Sequence, residues 1–253
     1  MTNLSDNDRL TFVNGLELAE LPSSLNVNLE KLLTLTASPR AGYIDLASPT
    51  SFVAGVSQQS QRDVLNSTLL AQLAANQKFN RETQTVEWYG FYRNVLENVG
   101  WVIESFAFSK YNASGSNFSM DKVVLDLIAA IATQDEVAVV QATIDALKAL
   151  PQDDGRLVLF ESSSHSASAG NFQICVVNES GGVVSMSIGA SYFSTQQNVT
   201  NVLWFSFSST STNMYTGAQK ISLNKQIYQN VRAAIVAKLG DKAKRFVHDL
   251  DIG

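Results

Sequence analysis

The 253-residue chain is 45% hydrophobic and 16% charged, with a formal net charge of -5, so it can bury one sizeable core and has no general attraction for phosphate. That balance excludes a dedicated nucleic-acid binder, and a single cysteine, Cys175, excludes an internal disulfide and a thiolate metal cluster. No apolar run reaches the ~18 residues of a membrane helix, and the N-terminal Met1-Thr2-Asn3-Leu4-Ser5-Asp6 lacks the apolar segment of a secretory signal. Without a signal, the Asn-x-Ser/Thr triplets at Asn3, Asn66, Asn112, Asn117, Asn178 and Asn198 reflect composition rather than glycosylation.

Residues 1–50 read as extended or irregular. Leu10 and Phe12, then Leu25, Val27 and Leu29, alternate as strands do, although 29–35 also fits a helical turn. Ser48-Pro49-Thr50-Ser51 breaks the pattern. A helix is expected over 58–77, where Leu65, Leu69 and Leu73 recur at four-residue spacing beside Val64, Thr68, Ala71 and Ala75. A second is expected over 85–99, with Trp88, Phe91, Tyr92, Val95 and Leu96 on one side and Gly100 as its C-terminal cap. The aromatic run Trp88-Tyr89-Gly90-Phe91-Tyr92 reads as core. Residues 102–108 then alternate as an extended segment.

Residues 120–150 form the clearest helical region. Thr133-Gln134-Asp135-Glu136 has the form of a capping box and divides it into a helical hairpin. Leu157 to Glu161 reads as a strand opening a meander, with Ser162 to Ser168 as its loop. Phe172, Ile174 and Val176 alternate up to Gly181-Gly182, a pair suited to a tight turn, and Val184, Met186, Ile188, Ala190 and Tyr192 alternate on the return. On the other face of that return strand lie Ser185, Ser187, Gly189 and Ser191. A third strand is expected over Val202–Phe207, then a polar turn over 208–213 and a short strand at Ile221-Ser222-Leu223. A last helix is expected over 224–240, with Ile227, Val231, Ile235 and Leu239 on its buried side.

Taken together, these elements predict a single α+β domain spanning 1–253. Its antiparallel meander of five or six strands is flanked by helix pairs over 58–99 and 119–150 and closed by a C-terminal helix. Between Leu157 and Gln219 the only charged residues are Glu161 and Glu179, which predicts a covered surface.

Chemistry is sparse. A Ser/His/acid hydrolase can be drawn from Ser163 or Ser164, His165 and Glu161, but no Gly-x-Ser-x-Gly elbow accompanies them, and a solvent-exposed loop is the expected place for His165. His248 is expected at the surface, and Cys175 as a small buried hydrophobe. Asp153-Asp154 and Asp249-x-Asp251 lack the rest of a calcium loop, and no phosphate-binding glycine motif occurs. Glu87, Glu97 and Glu104 read as a solvated face. The residues therefore predict no catalytic, cofactor or metal site and no enzymatic activity.

At Phe52-Val53-Ala54-Gly55-Val56, running into Asp63–Ala75, and again at Glu87-Trp88-Tyr89-Gly90-Phe91-Tyr92, the chain resembles a bacterial family. Its members are accessory proteins encoded beside multi-component α-pore-forming toxins of the motility-associated killing factor type. The resemblance implies a role in the expression, stability or secretion of toxin subunits. It implies those subunits as partners, and a place in the bacterial cytoplasm or secretion without a cleaved signal. The order of helix hairpin, long strands and final helix is also similar to the insecticidal Cyt-type cytolysins, which implies the alternative of a sheet that inserts into membranes.

Overall fold

The computed structural model describes residues 4–20, 40–104 and 107–252. Ser5 and Asp8 form a reciprocal capping box, each side chain accepting from the other's backbone amide, and this starts helix α1 (Asp6–Gly15). The extended reading of Leu10 and Phe12 is thereby corrected. A local cap outweighs two alternating apolar residues. The alternation at Leu25, Val27 and Leu29 lies outside the described residues.

Strands β1 (Ala41–Asp45) and β2 (Ser48–Phe52) make a hairpin in which every residue is buried. Ser48-Pro49-Thr50-Ser51 is therefore strand rather than break, because neighbouring chain covers its hydroxyls on both sides. Helix α2 (Gln58–Lys78) starts at Ser57, whose side chain accepts from the Ser60 amide, and α3 (Thr85–Asn98) ends before Gly100 at φ 108°. Both match the expected helices. After them come β3 (Trp101–Val102) and β4 (Ser109–Lys110); of the expected extended segment, residues 105 and 106 lie outside the described residues.

After β5 (Asn117–Ser119) come α4 (Met120–Ala129) and α5 (Gln134–Ala149), divided by the Thr133–Glu136 capping box. The helical hairpin is as the sequence predicts. Leu157 to Glu161, however, is helical and belongs to α6 (Gly155–Ser164), because the Asp154 carboxylate accepts from the Arg156 amide and caps a new first turn.

Strands β6 (Ala169–Ser180) and β7 (Val183–Thr195) form the expected hairpin, with Gly181 and Gly182 at φ 57° and 81° in the turn. The expected third strand is displaced. Val202 and Leu203 are buried in a turn, β8 (Ser206–Ser208) pairs with β5 apart from the main sheet, and the true third strand is β9 (Thr212–Leu223). Both faces of β9 mix apolar with polar residues, so alternation marked only its end, the expected short strand Ile221-Ser222-Leu223. Asn224 caps α7 (Lys225–Leu239), and α8 (Lys242–Phe246) leads into β10 (Val247–Leu250), a strand the sequence did not reveal.

The main sheet runs β10-β1-β2-β6-β7-β9-β3, with β4 also on β9. It is antiparallel except for one parallel pair, β2 with β6. Pro49, which has no N–H to donate, immediately precedes the first residue of that pair, Thr50. Helices α2 and α3 cover one face, where Thr68 and Gln72 bond Asp45 and Tyr89 donates to the Phe172 carbonyl. The other face lies under α4, α5 and α6: Gly189 meets Ile128, the Ser51 and Thr143 hydroxyls bond, and Phe160 packs edge-on against Phe172. A bidentate pair from Arg232 to the buried Asp63 fastens α7 to α2.

Register decides which side chains share a face. Phe172, Ile174 and Val176 of β6 stand opposite Ser191, Gly189 and Ser187 of β7, while Gln173, Cys175 and Val177 stand opposite Ala190, Ile188 and Met186. The apolar face of one strand is therefore the hydroxyl face of the next. Each side of the sheet is a mixture, and both are covered.

Candidate functional site

The residues with chemical potential fall in two places. The first is the end of α6. His165 Nε2 lies 2.6 Å from Glu161 Oε2, and His165 Nδ1 lies 2.7 Å from the Ser166 carbonyl oxygen. Both partners are acceptors, so the protonated ring, with an N–H on each nitrogen, is the form that satisfies both contacts. Burial pulls the imidazole toward neutrality, but the bonds to Glu161 and the Ser166 carbonyl, with the Glu161 charge, outweigh it and raise its pKa above the ordinary value.

His165 is therefore not the exposed loop residue the sequence predicts; its side chain is 9% exposed. It is a fixed strut. Glu161 also accepts from the Val202 amide at 3.1 Å, so the pair anchors the turn that replaced the expected third strand. Neither neighbouring serine bonds to it: Ser164 donates to the Phe160 carbonyl, and the Ser163 hydroxyl is buried without a partner. The structure brings Glu161 and His165 together and leaves both serines out.

The second place is the interface between the sheet and the α2–α3 pair, and it is polar. Asp45, Ser48, Thr50, Gln72, Asn171 and Gln173 are all wholly buried there, beside Cys175 and beneath Tyr89 and Tyr92. Thr68 Oγ1 is 2.5 Å from Asp45 Oδ2 and 2.9 Å from the Val64 carbonyl oxygen. Thr68 is the donor in both contacts, so its one proton is shared between the Asp45 carboxylate and the Val64 carbonyl. Burial pushes the Asp45 pKa up to about 8, and the bond from Thr68 opposes that shift.

Burial likewise pushes the Cys175 thiol up, with Asp45 adding to the effect and a bond to Thr50 opposing it. The thiol is not an activated nucleophile. Cys175 is the buried small side chain the sequence predicts, but its neighbours are polar. A cavity of about 10 Å³ opens between Tyr89, Tyr92, Gln173, Ile188 and Gln219, room for about one water.

The aromatic run is core, with Trp88 stacked on Tyr92 at 5.2 Å and the Arg81 guanidinium 4.5 Å from the Trp88 ring. His248 is 5% exposed on β10 and bonds the Arg245 carbonyl, which corrects its expected surface position. Glu87 and Glu104 are exposed and Glu97 is half-buried and paired with Arg93; Glu97 and Glu104 line one pocket together with Arg9. Among the described residues no three His, Cys, Asp or Glu side chains group as metal ligands, and no helix is long and apolar enough to cross a membrane. Sequence reasoning missed Asp45, Arg81 and Gln173, since nothing local distinguishes a buried polar residue from an exposed one.

No protein-family model matches the chain, and no curated protein matches it. Among solved structures, that of the Evf virulence factor is similar over 77% of this chain and 84% of that one, with a TM-score of 0.35 and 10% identity. A likeness at this level is a weak relation of fold and assigns neither family nor role.

Proposed function

We propose that this chain is a non-catalytic binding protein, an accessory that supports the expression, stability or secretion of bacterial pore-forming toxin subunits. The observation that carries the non-catalytic part is the geometry at His165: both ring nitrogens face fixed acceptors, Ser164 donates to the Phe160 carbonyl instead, and the Ser163 hydroxyl makes no bond to the ring. Burial pushes the pKa values of Asp45 and Cys175 up, which favours their protonated forms. The segments that carry the family resemblance, 52–56, 63–75 and 87–92, lie mostly in the core, so the resemblance supports a shared scaffold. Toxin subunits remain the partners that the resemblance implies.

The test is co-expression with the subunits of a motility-associated killing factor type toxin. Co-purification with one subunit, and a higher soluble or secreted yield of it, is the expected result. Unchanged yield without co-purification overturns the proposal.

The second reading is a membrane-active sheet. It draws on strand length, since β6, β7 and β9 run 12, 13 and 12 residues, and a tilted strand needs about 9–11 to cross a bilayer. It is weakened by register, because the β6–β7 hairpin offers no continuous apolar face to lipid.

A further inference from the structure

Where the β7–β9 ladder ends, at Thr195 opposite Thr212, the chain forms a cleft of about 480 Å³. Residues 110–113, Gln196 and 209–213 line it, three stretches well apart in sequence. Backbone bonds hold the walls in place. The Tyr111 amide donates to the Met214 carbonyl at 2.9 Å, the Gln196 amide to the Ser211 carbonyl at 3.1 Å, and the Ser209 amide to the Ser116 carbonyl at 2.9 Å. The Thr195 and Thr212 hydroxyls also bond to each other at 2.9 Å. The cleft is therefore built in advance of any ligand, and binding need not order its loops.

The polar groups of the cleft divide into two kinds. Ser209, Thr210 and Thr212 tie their hydroxyls to protein partners. Asn112, Gln196 and Asn213 are exposed, and their side-chain amides bond to nothing among the described residues. Each amide holds two N–H donors and a carbonyl acceptor in one plane. The lining contains no carboxylate, and its one cation is the exposed Lys110. Its one aromatic residue is Tyr111, whose ring packs against Phe118 at 5.2 Å.

This composition selects a ligand by exclusion. Without an acid there is nothing to hold an amine or a metal ion, and a single lysine is a weak match for a polyanion. Ala113 is the only aliphatic side chain in the lining, so a lipid chain would bury little apolar surface. What fits is a neutral ligand dense in groups that both donate and accept. Neighbouring sugar hydroxyls present a donor and an acceptor side by side, and one planar amide meets both. We propose that this cleft binds a neutral saccharide of one or two rings through the amides of Asn112, Gln196 and Asn213. Its volume lies within the ~300–1,000 Å³ of small-molecule sites.

The experiment is saturation-transfer difference NMR on the full chain, titrated with lactose, maltose or diacetylchitobiose, with glucose 6-phosphate as the charged comparison. The expected result is saturable transfer to at least one disaccharide, and weaker transfer to glucose 6-phosphate. Asn112→Ala and Asn213→Ala should each weaken that binding about ten-fold, on the scale of one lost hydrogen bond. Gln229→Ala, which removes an exposed amide from α7, should leave it unchanged. The same disaccharide carried by a glycolipid in phosphatidylcholine vesicles separates its sources: co-sedimentation blocked by free sugar marks a membrane glycan, and binding of the free sugar alone marks a soluble one. No saturable transfer to any of the three disaccharides overturns the proposal, as does stronger transfer to glucose 6-phosphate. It fails equally if a folded Asn112→Ala/Asn213→Ala double variant binds as the wild type does.

Discussion

Phe172 and Ser191 stand directly opposite one another across the β6–β7 hairpin, so the apolar alternation of β6 runs out of phase with that of β7. A hairpin in lipid needs one uniformly apolar face, and this one has none. Purified protein should therefore leave dye-loaded anionic vesicles intact at concentrations where it remains folded. Dye release would sink this argument and favour the membrane-active reading.

His165 ties the end of α6 to the turn at Val202 through Glu161. A histidine whose folded pKa is raised contributes stability that is fully present below its unfolded value, about 6.5, and lost as pH rises through the folded value. His165→Gln should lower Tm most in mildly acidic buffer, and the gap from wild type should narrow as the solution becomes alkaline. A gap independent of pH would mean that the ring acts by packing alone.

Asp45 works in the opposite sense. Its carboxyl is neutral in the fold up to about pH 8 but ionises near 3.8 when the chain unfolds, so it lowers stability progressively between those values. Asp45→Asn should raise Tm near neutral pH by a few degrees, on the scale of about 2–4 °C per kcal/mol. It should change little at pH below 3.8. Equal Tm at neutral pH would show that Asp45 is ionised and otherwise compensated.

Glu179 joins three elements: it accepts from the Ser57 amide and hydroxyl at the start of α2 and pairs with Lys225 of α7. Burial opposes its ionisation, but Lys225, Ser57 and Ser60 outweigh that and hold its pKa at about 2. Its contribution is present above the unfolded value of 4.5 and lost as pH falls toward 2. Glu179→Gln should cost stability at neutral pH, and thermal melts should converge with wild type across that acidic window. Persistent separation at the acidic end would contradict the assignment.

Gly170 marks where backbone comes closest to side chains. A Cβ there would lie 2.6 Å from the Phe193 ring and 2.8 Å from His165 Cβ. Gly170→Ala should cost about 1–3 kcal/mol, the range for overpacking. A urea midpoint unchanged from wild type would show that Phe193 turns aside freely.

Much of the fold was legible because the physics behind it is local. The capping box at Thr133, the stripe of Leu65, Leu69 and Leu73, and the Gly181-Gly182 turn each depend on residues within a turn or two of one another, and each was found where the sequence placed it. Where two local signals competed, the cap won: Ser5 with Asp8, and Asp154 with Arg156, made helices of segments whose apolar residues resembled strands.

Long-range pairing decided the rest. Val202–Phe207 has the more apolar sequence, yet Thr212–Leu223 is the strand, because a strand exists only where a partner offers its ladder. Tertiary structure also fixed the phase of β6 against β7, the burial of His248 on β10, and the enclosure of Asp45, Gln173 and the Arg81 fork. A side chain's solvent, and hence its charge, is set by neighbours that folding brings from distant parts of the chain. The sequence by itself determined α2 to α5, α7 and the β6–β7 hairpin; only the tertiary structure decided which polar groups lie out of reach of water.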